Sequence, residues 1–384
     1  MDPSIWENLP PEIIHSVIAR LPTKSLCRFK SVSASWNSLI SSSDFAKTHL
    51  HITNNTPNRP QKTILISTSH TLYSVDFAAA SPTAEKLDFE LPIGHPGNRL
   101  RCWGSCNGLV LVSDEGIFYN LFLLNPFTRE CKELPHSPLV DPRYRDDIHF
   151  FVSGLGYDSS RDDYKVVMLL CRDTTHTLAT APAYVTNVAV YSLKTNAWRR
   201  IQDPRCNPKG HVNGVWFNER LHWLCWRNGF YVVVALDLWD ETFKEVDLPA
   251  SFDCYRGGYH FRMVFGSCLC LVVWPFKGGG DIDVWMMMKY GVRESWTKFT
   301  IALGMSLEDV LYLAAEEEFV LRMIEKVNGV GVQPPGRDKL VLYNPRNRTL
   351  RDMVCGIPTE YMVGGNYIET LVSPNHGRTD LKKP

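Results

Sequence analysis

His211, His222, Cys225, Cys254, Cys268 and Cys270 are the side chains in this chain whose chemistry would suit zinc. A structural zinc site takes a full set of such ligands, usually as two close pairs. No Cys-x-x-Cys here has a matching second half, and Cys268 and Cys270 alternate along a strand-like run, so both point to one face. They read as buried structural residues, with His222, beside Trp223, packed inside a sheet. Gly156-Tyr157-Asp158 and Asp162-Asp163-Tyr164 supply carboxylates, but the ligand spacing of a calcium loop, closed by a bidentate glutamate, is missing. These Asp residues suit a turn, bonding local backbone ahead of a strand from Lys165 to Leu170. A hydrolase elbow of the form Gly-x-Ser-x-Gly does not occur. Thr23-Lys24-Ser25 has the end of a phosphate-binding loop without its upstream glycines. Gly278-Gly279-Gly280 and Gly329-Val330-Gly331 read as loop tips. The expectation is a non-catalytic chain with no metal and no cofactor.

Composition narrows the partners. The chain has 384 residues, 41 of them basic and 41 acidic, for a net charge of zero. No overall field draws it to nucleic acid or to an anionic membrane, and neither is expected as a partner. Met1 to Trp6 lacks the basic flank and apolar run of a secretory signal, and apolar stretches such as Tyr231 to Leu236 fall far short of the roughly 20 residues that span a bilayer. A cytoplasmic or nuclear location follows. Eleven cysteines are an odd number for a disulfide framework, and a reducing compartment disfavours one. The sequons at Asn54 and Asn347 are then chemically idle.

With no catalytic cluster to position, the elements must position surfaces. At the head, Pro10 and Pro11 suit a helix start. Ile13, Ile14, Val17, Ile18 and Leu21 then form one broad apolar stripe before Pro22 stops the helix. Thr23 is expected to cap a second helix bearing Leu26, Phe29 and Val32, and Ser33 a third bearing Trp36, Leu39 and Ile40. Asp44 to Ile52 extends the head by one more helix. These apolar residues are too many for so short a segment to bury alone. Taken in order and at these spacings, Leu9-Pro10, Ile13, Ile18, Leu21-Pro22, Leu26, Arg28, Val32, Trp36 and Leu39-Ile40 resemble the F-box. This is the helical motif by which a substrate receptor docks on the Skp-type adaptor of a cullin-RING ubiquitin ligase. The resemblance makes Leu9, Pro10, Ile13, Ile14, Ile18, Leu21, Pro22, Leu26, Phe29, Val32, Trp36 and Leu39 the candidate adaptor-binding residues, without sorting outward-facing anchors from inward-facing ones.

After a polar, proline-containing linker the pattern changes to short β-branched and aromatic runs separated by Gly, Pro, Asn and Asp, the mark of an all-β body. A hairpin unit repeats within it, anchored by Leu87, Cys131, Trp198, Phe243, Trp296 and Leu350. The intervals bracket the roughly 40 to 50 residues of a propeller blade. Six blades are expected, with a seventh accommodated if the long Cys131–Trp198 interval hides one. A pair of β-sandwiches explains the repeated hairpin less well. The ring must close to remove its sheet edges, and Asn366 to Pro374 is strand-like enough to pair with the first blade near Ile64 to Ser67. The expected domains are an F-box over 1–52, a linker over 53–62, a propeller over 63–375 and a flexible tail over 376–384.

The stretches GSCNGLVLV from Gly104, LLNPFTRE from Leu123, GLGYDSSRDDYKVV from Gly154, VYSLKTNAWRRI from Val190, NERLHWL from Asn218 and IDVWMMMKYGVRESWTKF from Ile282 resemble the plant F-box-associated interaction domain of kelch-like propeller type. The last is similar to members that restrain plant defence by acting on immune receptors, and the S-locus F-box proteins share the architecture. The resemblance implies a substrate-recognition subunit of an SCF ubiquitin ligase, partnered by a Skp-type adaptor, through it by cullin and RING subunits, and by a protein target. A ubiquitin-independent propeller scaffold is the alternative. Aromatic and Arg residues on loops of a rigid scaffold are the natural target contacts, which selects Arg143, Tyr144, Arg145, Trp226, Arg227, Tyr255, Arg256 and Phe276.

Overall fold

The computed structural model describes residues 10–55, 63–68, 71–76, 83–87, 100–114, 117–140, 148–173, 184–208, 213–254, 259–265, 268–275, 281–301, 306–313, 318–325, 337–344, 346–353 and 363–375. Pro11 stands at the start of α1 (Pro11–Ile18), where its missing N–H forgoes no intrahelical bond. α2 (Thr23–Phe29) begins directly after Pro22, which occupies the cap position, so Thr23 is the first helical residue rather than the expected cap. Its hydroxyl donates instead to the Glu369 carbonyl oxygen at 3.2 Å. Ser33 does cap α3 (Ala34–Ile40), its side chain accepting from the Trp36 N–H at 3.2 Å. α4 (Ser43–Asn55) continues through residues 53–55, which the sequence assigned to the linker. Ile18, Ala19, Leu26, Ile40, Phe45 and Ala46 fill the space between the helices, and Leu371 joins them from the far end of the chain. Among the described residues no helix is long and apolar enough to cross a membrane.

Among the described residues six antiparallel sheets follow, five of four strands and one of five. Blade one joins Val363–Tyr367 to Thr63–Thr68, Thr71–Asp76 and Ala84–Leu87; blade two runs Leu100–Cys106, Leu109–Asp114, Ile117–Asn125 and Glu130–Glu133. Blade three has Ile148–Asp158, Asp163–Asp173, Tyr184–Ser192 and Ala197–Ile201. In blade four Asn207–Pro208 and Val215–Phe217 share the inner position, followed by Arg220–Arg227, Phe230–Asp237 and Phe243–Val246. Blade five holds Tyr259–Phe265, Leu269–Pro275, Ile282–Met287 and Trp296–Ile301, and blade six Ser306–Leu313, Phe319–Glu325, Arg337–Asn344 and Thr349–Met353. The inner strands contact one another in order around the ring, the sixth returning to the first. This is a β-propeller. The long Cys131–Trp198 interval is taken up by two strands of 11 residues each rather than by a further sheet.

Ring closure uses Val363–Tyr367, paired antiparallel with the strand after the linker, Ile64 opposite Asn366 and Ser67 opposite Val363. The closing strand shares Asn366 and Tyr367 with the stretch expected from sequence and extends upstream of it to Val363, while residues 368–374 stay out of the sheet. Beyond Tyr367 the chain leaves the sheet and runs between the helices and the blades. Each hairpin anchor sits on the outermost strand of a different blade, opposite Leu72, Leu124, Tyr191, Leu236, Met287 or Tyr343 on the third strand. Four of the turns leading to these strands carry a left-handed non-glycine residue, Arg129, Asn196, Glu241 or Arg348, at φ 54 to 60°, and a fifth carries Gly291 at φ 75°. Such a residue suits the right-handed twist of the hairpin.

Antiparallel order sorts the connections onto two faces. Turns from first to second and from third to fourth strands open on one face; second-to-third turns and the crossovers between blades open on the other. The helices sit on the first face, with α4 beside Asn107, Ser159, Asp162 and Lys194.

Candidate functional site

The helical head divides its apolar residues between a core and an open edge. Ile18 and Leu26 are 1% and 0% exposed, so these two adaptor candidates are inner packing and offer a partner no surface. Pro10, Ile13, Pro22 and Val32 are exposed, and Ile14, Leu21, Phe29, Trp36 and Leu39 are half-buried around the core. Leu9 lies outside the described residues. Val17, one turn beyond Ile13 on the same face of α1, is 43% exposed and belongs to this edge; the stripe pattern contained it, but the motif did not mark it out. The Phe29 and Trp36 rings meet edge-on at 5.3 Å, bracing α2 against α3. His49 Nε2 donates to the Leu21 carbonyl oxygen at 2.9 Å, tying α4 to the turn after α1. What results is an exposed aliphatic pair, Ile13 and Val17, on one face of α1 and an exposed Val32 after α2, on a braced support.

The head does not hang from its linker. Lys47 on α4 pairs with Asp162, which also accepts from the Tyr157 hydroxyl at 2.6 Å. Burial pushes the Asp162 carboxyl up, but the hydrogen bonds from Lys47 and Tyr157 outweigh it and hold the group below its usual range. Leu50 of α4 packs into the propeller core together with Val372. A cleft of about 610 Å³ remains between α4 and the turns of blades two to four. Only Asp158 bonds its local turn as the sequence suggested, accepting from the Ser160 and Arg161 N–H groups at 3.2 Å. Asp162 reaches the head, and Asp163 accepts from the Lys194 N–H at 2.9 Å. No local pattern signals these distant partners.

Of the target candidates, Trp226 and Arg227 are described; Arg143, Tyr144, Arg145, Tyr255, Arg256 and Phe276 lie outside the described residues. Trp226 and Arg227 end the second strand of blade four, on the face away from the helices. There Asn228 and Gly229, at φ 51 and 91°, turn the chain back. Arg227 grips Glu245 with two hydrogen bonds of 2.7 and 2.8 Å, and Trp226 packs edge-on against Tyr231 at 4.7 Å. Phe230, in the same loop stretch from Trp226 to Tyr231, is 48% exposed beside them.

The described zinc candidates do not converge. His222 is fully buried, its Nδ1–H donating to the Val215 carbonyl oxygen at 3.2 Å and its Nε2 accepting from the Tyr290 hydroxyl at 2.8 Å. Burial lowers its pKa to about 4, so the ring is neutral and stitches blade four to blade five. Cys225 belongs to one apolar cluster and Cys268 and Cys270 to another. His211 lies outside the described residues, and among those described no three metal-binding side chains gather. Lys165 is buried together with the carboxylates it meets. Its ammonium donates to Asp158 Oδ2 at 2.9 Å, to Glu241 Oε1 at 3.2 Å and to the Leu238 carbonyl oxygen, joining blade three to blade four.

The F-box domain profile matches residues 6–48, and the F-box associated beta propeller domain profile matches residues 63–372. The chain is a propeller-bearing F-box protein. Over 329 residues it is 31% identical to the F-box protein CPR1 of Arabidopsis thaliana, covering 79% of this chain and 76% of that one. It is 30% identical over 388 residues to the Arabidopsis F-box/kelch-repeat protein At3g23880, covering 96% of both. In this F-box protein the first match falls on the four helices and the second begins at the first propeller strand. The second match ends at Val372, within the segment that lies between the two.

Proposed function

We propose that this F-box protein is the target-recognition subunit of an SCF-type ubiquitin ligase. The observation that carries the reading is the open aliphatic edge of the F-box, with Ile13, Val17 and Val32 at 49, 43 and 66% exposure on a head fixed to a propeller. A Skp-type adaptor covers that edge and brings cullin and RING subunits. The propeller face away from the helices, with Trp226, Arg227 and Phe230 on blade four, takes a protein target. The resemblance of residues 282–299 to defence-restraining members makes a plant immune receptor the first target class to test. The chain's part in ubiquitin transfer is proximity, which raises the effective concentration of lysine and thioester, while the bond chemistry belongs to its partners. Work in the cytoplasm or nucleus accords with this role.

Co-purification tests the reading. Wild-type chain is expected to retain a Skp-type adaptor, and a variant with Leu9, Pro10 and Ile13 replaced by Ala to lose it. Equal recovery from both would overturn the assignment of the edge. No recovery from either would favour a ubiquitin-independent scaffold.

A further inference from the structure

The segment from Ile368 to Ser373 follows the closing strand, yet forms no part of any sheet. Its residues alternate between two partners. Leu371, 5% exposed, is inserted into the core of the F-box helices. Val372, beside Leu50 of α4, is part of the propeller core. Thr370, 1% exposed, donates its hydroxyl to the Asn107 carbonyl oxygen at 3.0 Å in the first turn of blade two. Asn125, fully buried at the end of the third strand of blade two, clamps the segment from below. Its Nδ2 donates to the carbonyl oxygens of Thr370 at 3.0 Å and Val372 at 2.7 Å. Its Oδ1 is meanwhile spent on the Phe127 and Thr128 N–H groups of its own turn. From above, Thr23 of α2 donates to the Glu369 carbonyl oxygen. Gly108 completes the seat: its φ is +85°, and a Cβ there would lie 2.2 Å from Thr370 Oγ1 and 2.7 Å from the Ile368 carbonyl oxygen.

An ordinary chain end after ring closure has no need of two-sided burial. We propose that residues 368–373 form a positioning strap that sets the angle between the adaptor-bound F-box and the target-bearing propeller, and so acts on ubiquitin transfer rather than on the binding of either partner. The inference rests on the ligase reading above. Both ends of the propeller ring, the entry after α4 and the exit after Tyr367, lie on the F-box face, so closing the ring also delivers the strap to the helices. Lys47 and Asp162 attach the head to blade three; the strap adds an attachment on blade two. Misplacing reacting groups by about 1 Å costs on the order of 100-fold in rate, so a loosened angle registers in transfer even where both binding surfaces are intact.

The test uses the full chain assembled with Skp-type adaptor, cullin, RING subunit, ubiquitin-conjugating enzyme and ubiquitin, and reads modification of the chain's own lysines. Two variants are compared with wild type. Leu371→Ala removes the insertion into the F-box core. Thr370→Val keeps the shape and removes the hydroxyl contacts. The expected result is adaptor affinity within about twofold of wild type, with an initial transfer rate lower by ~10-fold or more for Leu371→Ala and by less for Thr370→Val. Peptide mapping is expected to show ubiquitin spread over more lysines than in wild type. Leu371→Met, close in volume, restores both rate and lysine pattern. Wild-type rate and lysine pattern in both variants would overturn the proposal, as would transfer falling only in parallel with adaptor affinity in both. Failure of the wild-type chain to hold the adaptor would instead overturn the ligase reading, a result that the binding measurement separates from the rest.

Discussion

Replacing Ile13, Val17 and Val32 together with alanine isolates the open edge of the F-box from its core. Their exposures of 49, 43 and 66% leave surface equal to about one and a half aliphatic side chains for a partner to cover. Complete burial of one such side chain contributes about 1.5 to 3 kcal/mol, so covering that surface is worth roughly 2 to 5 kcal/mol. At about 1.4 kcal/mol per decade, the triple variant should bind a Skp-type adaptor ~30- to 4000-fold more weakly. The assay is calorimetric titration of purified adaptor into the full chain, with thermal unfolding measured alongside. Exposed aliphatics lose little on truncation, and at positions 13 and 17 in α1 Ala is the stronger helix former, so the melting temperature should not fall. Ile18→Ala and Leu26→Ala are the contrast. These side chains are enclosed, so each truncation should cost about 2 to 5 kcal/mol of stability and weaken binding only through the unfolded fraction. Adaptor affinity within threefold of wild type in the triple variant, with unchanged melting, would refute the division into edge and core.

Lys165→Met should destabilise the propeller by up to about 3 kcal/mol, because Asp158 and Glu241 lose the buried cation they share and keep only the more exposed Arg161 and Arg199. Adding Asp158→Asn and Glu241→Gln should recover most of the loss in urea unfolding, and a single variant within ~1 kcal/mol of wild type would contradict the account. His222 gives a pH signature. Below pH 6.5 the unfolded chain takes up a proton on this ring that the folded chain refuses until about pH 4, so stability falls as pH drops through that window, by at most about 3 kcal/mol. His222→Gln should flatten the difference between urea midpoints at pH 7 and pH 5, and an unchanged slope would show that the ring does not govern it. On the far face, Phe230→Ala should reduce the proteins captured by proximity labelling with the F-box-disabled chain, with little change in melting because the ring is 48% exposed; an unchanged set would move the target surface elsewhere.

Local rules made much of this molecule readable. Prolines and Ser33 punctuate the head, and the hairpin turns repeat because each must reverse a twisted strand, so their anchors fall one to each blade. The Cys131–Trp198 interval left room for a seventh blade on spacing alone, since strand length leaves no turn signal until the strand ends. Thr23 looked like a cap because its hydroxyl suits one; Pro22 took that position, and a carbonyl near the other end of the chain took the hydroxyl.

By itself the sequence determined the order of elements, the all-β repeat and the identity of the F-box, each encoded in residues a few positions apart. Only the tertiary structure decided which apolar residues of the head are edge and which are core, since both kinds share the same helical stripe until the helices pack. It also decided the partners of Lys165, Asp162 and Leu371. The strap shows the reason most plainly: Thr370, Leu371 and Val372 face alternate sides as any extended run does, and only folding brings two different bodies to those sides.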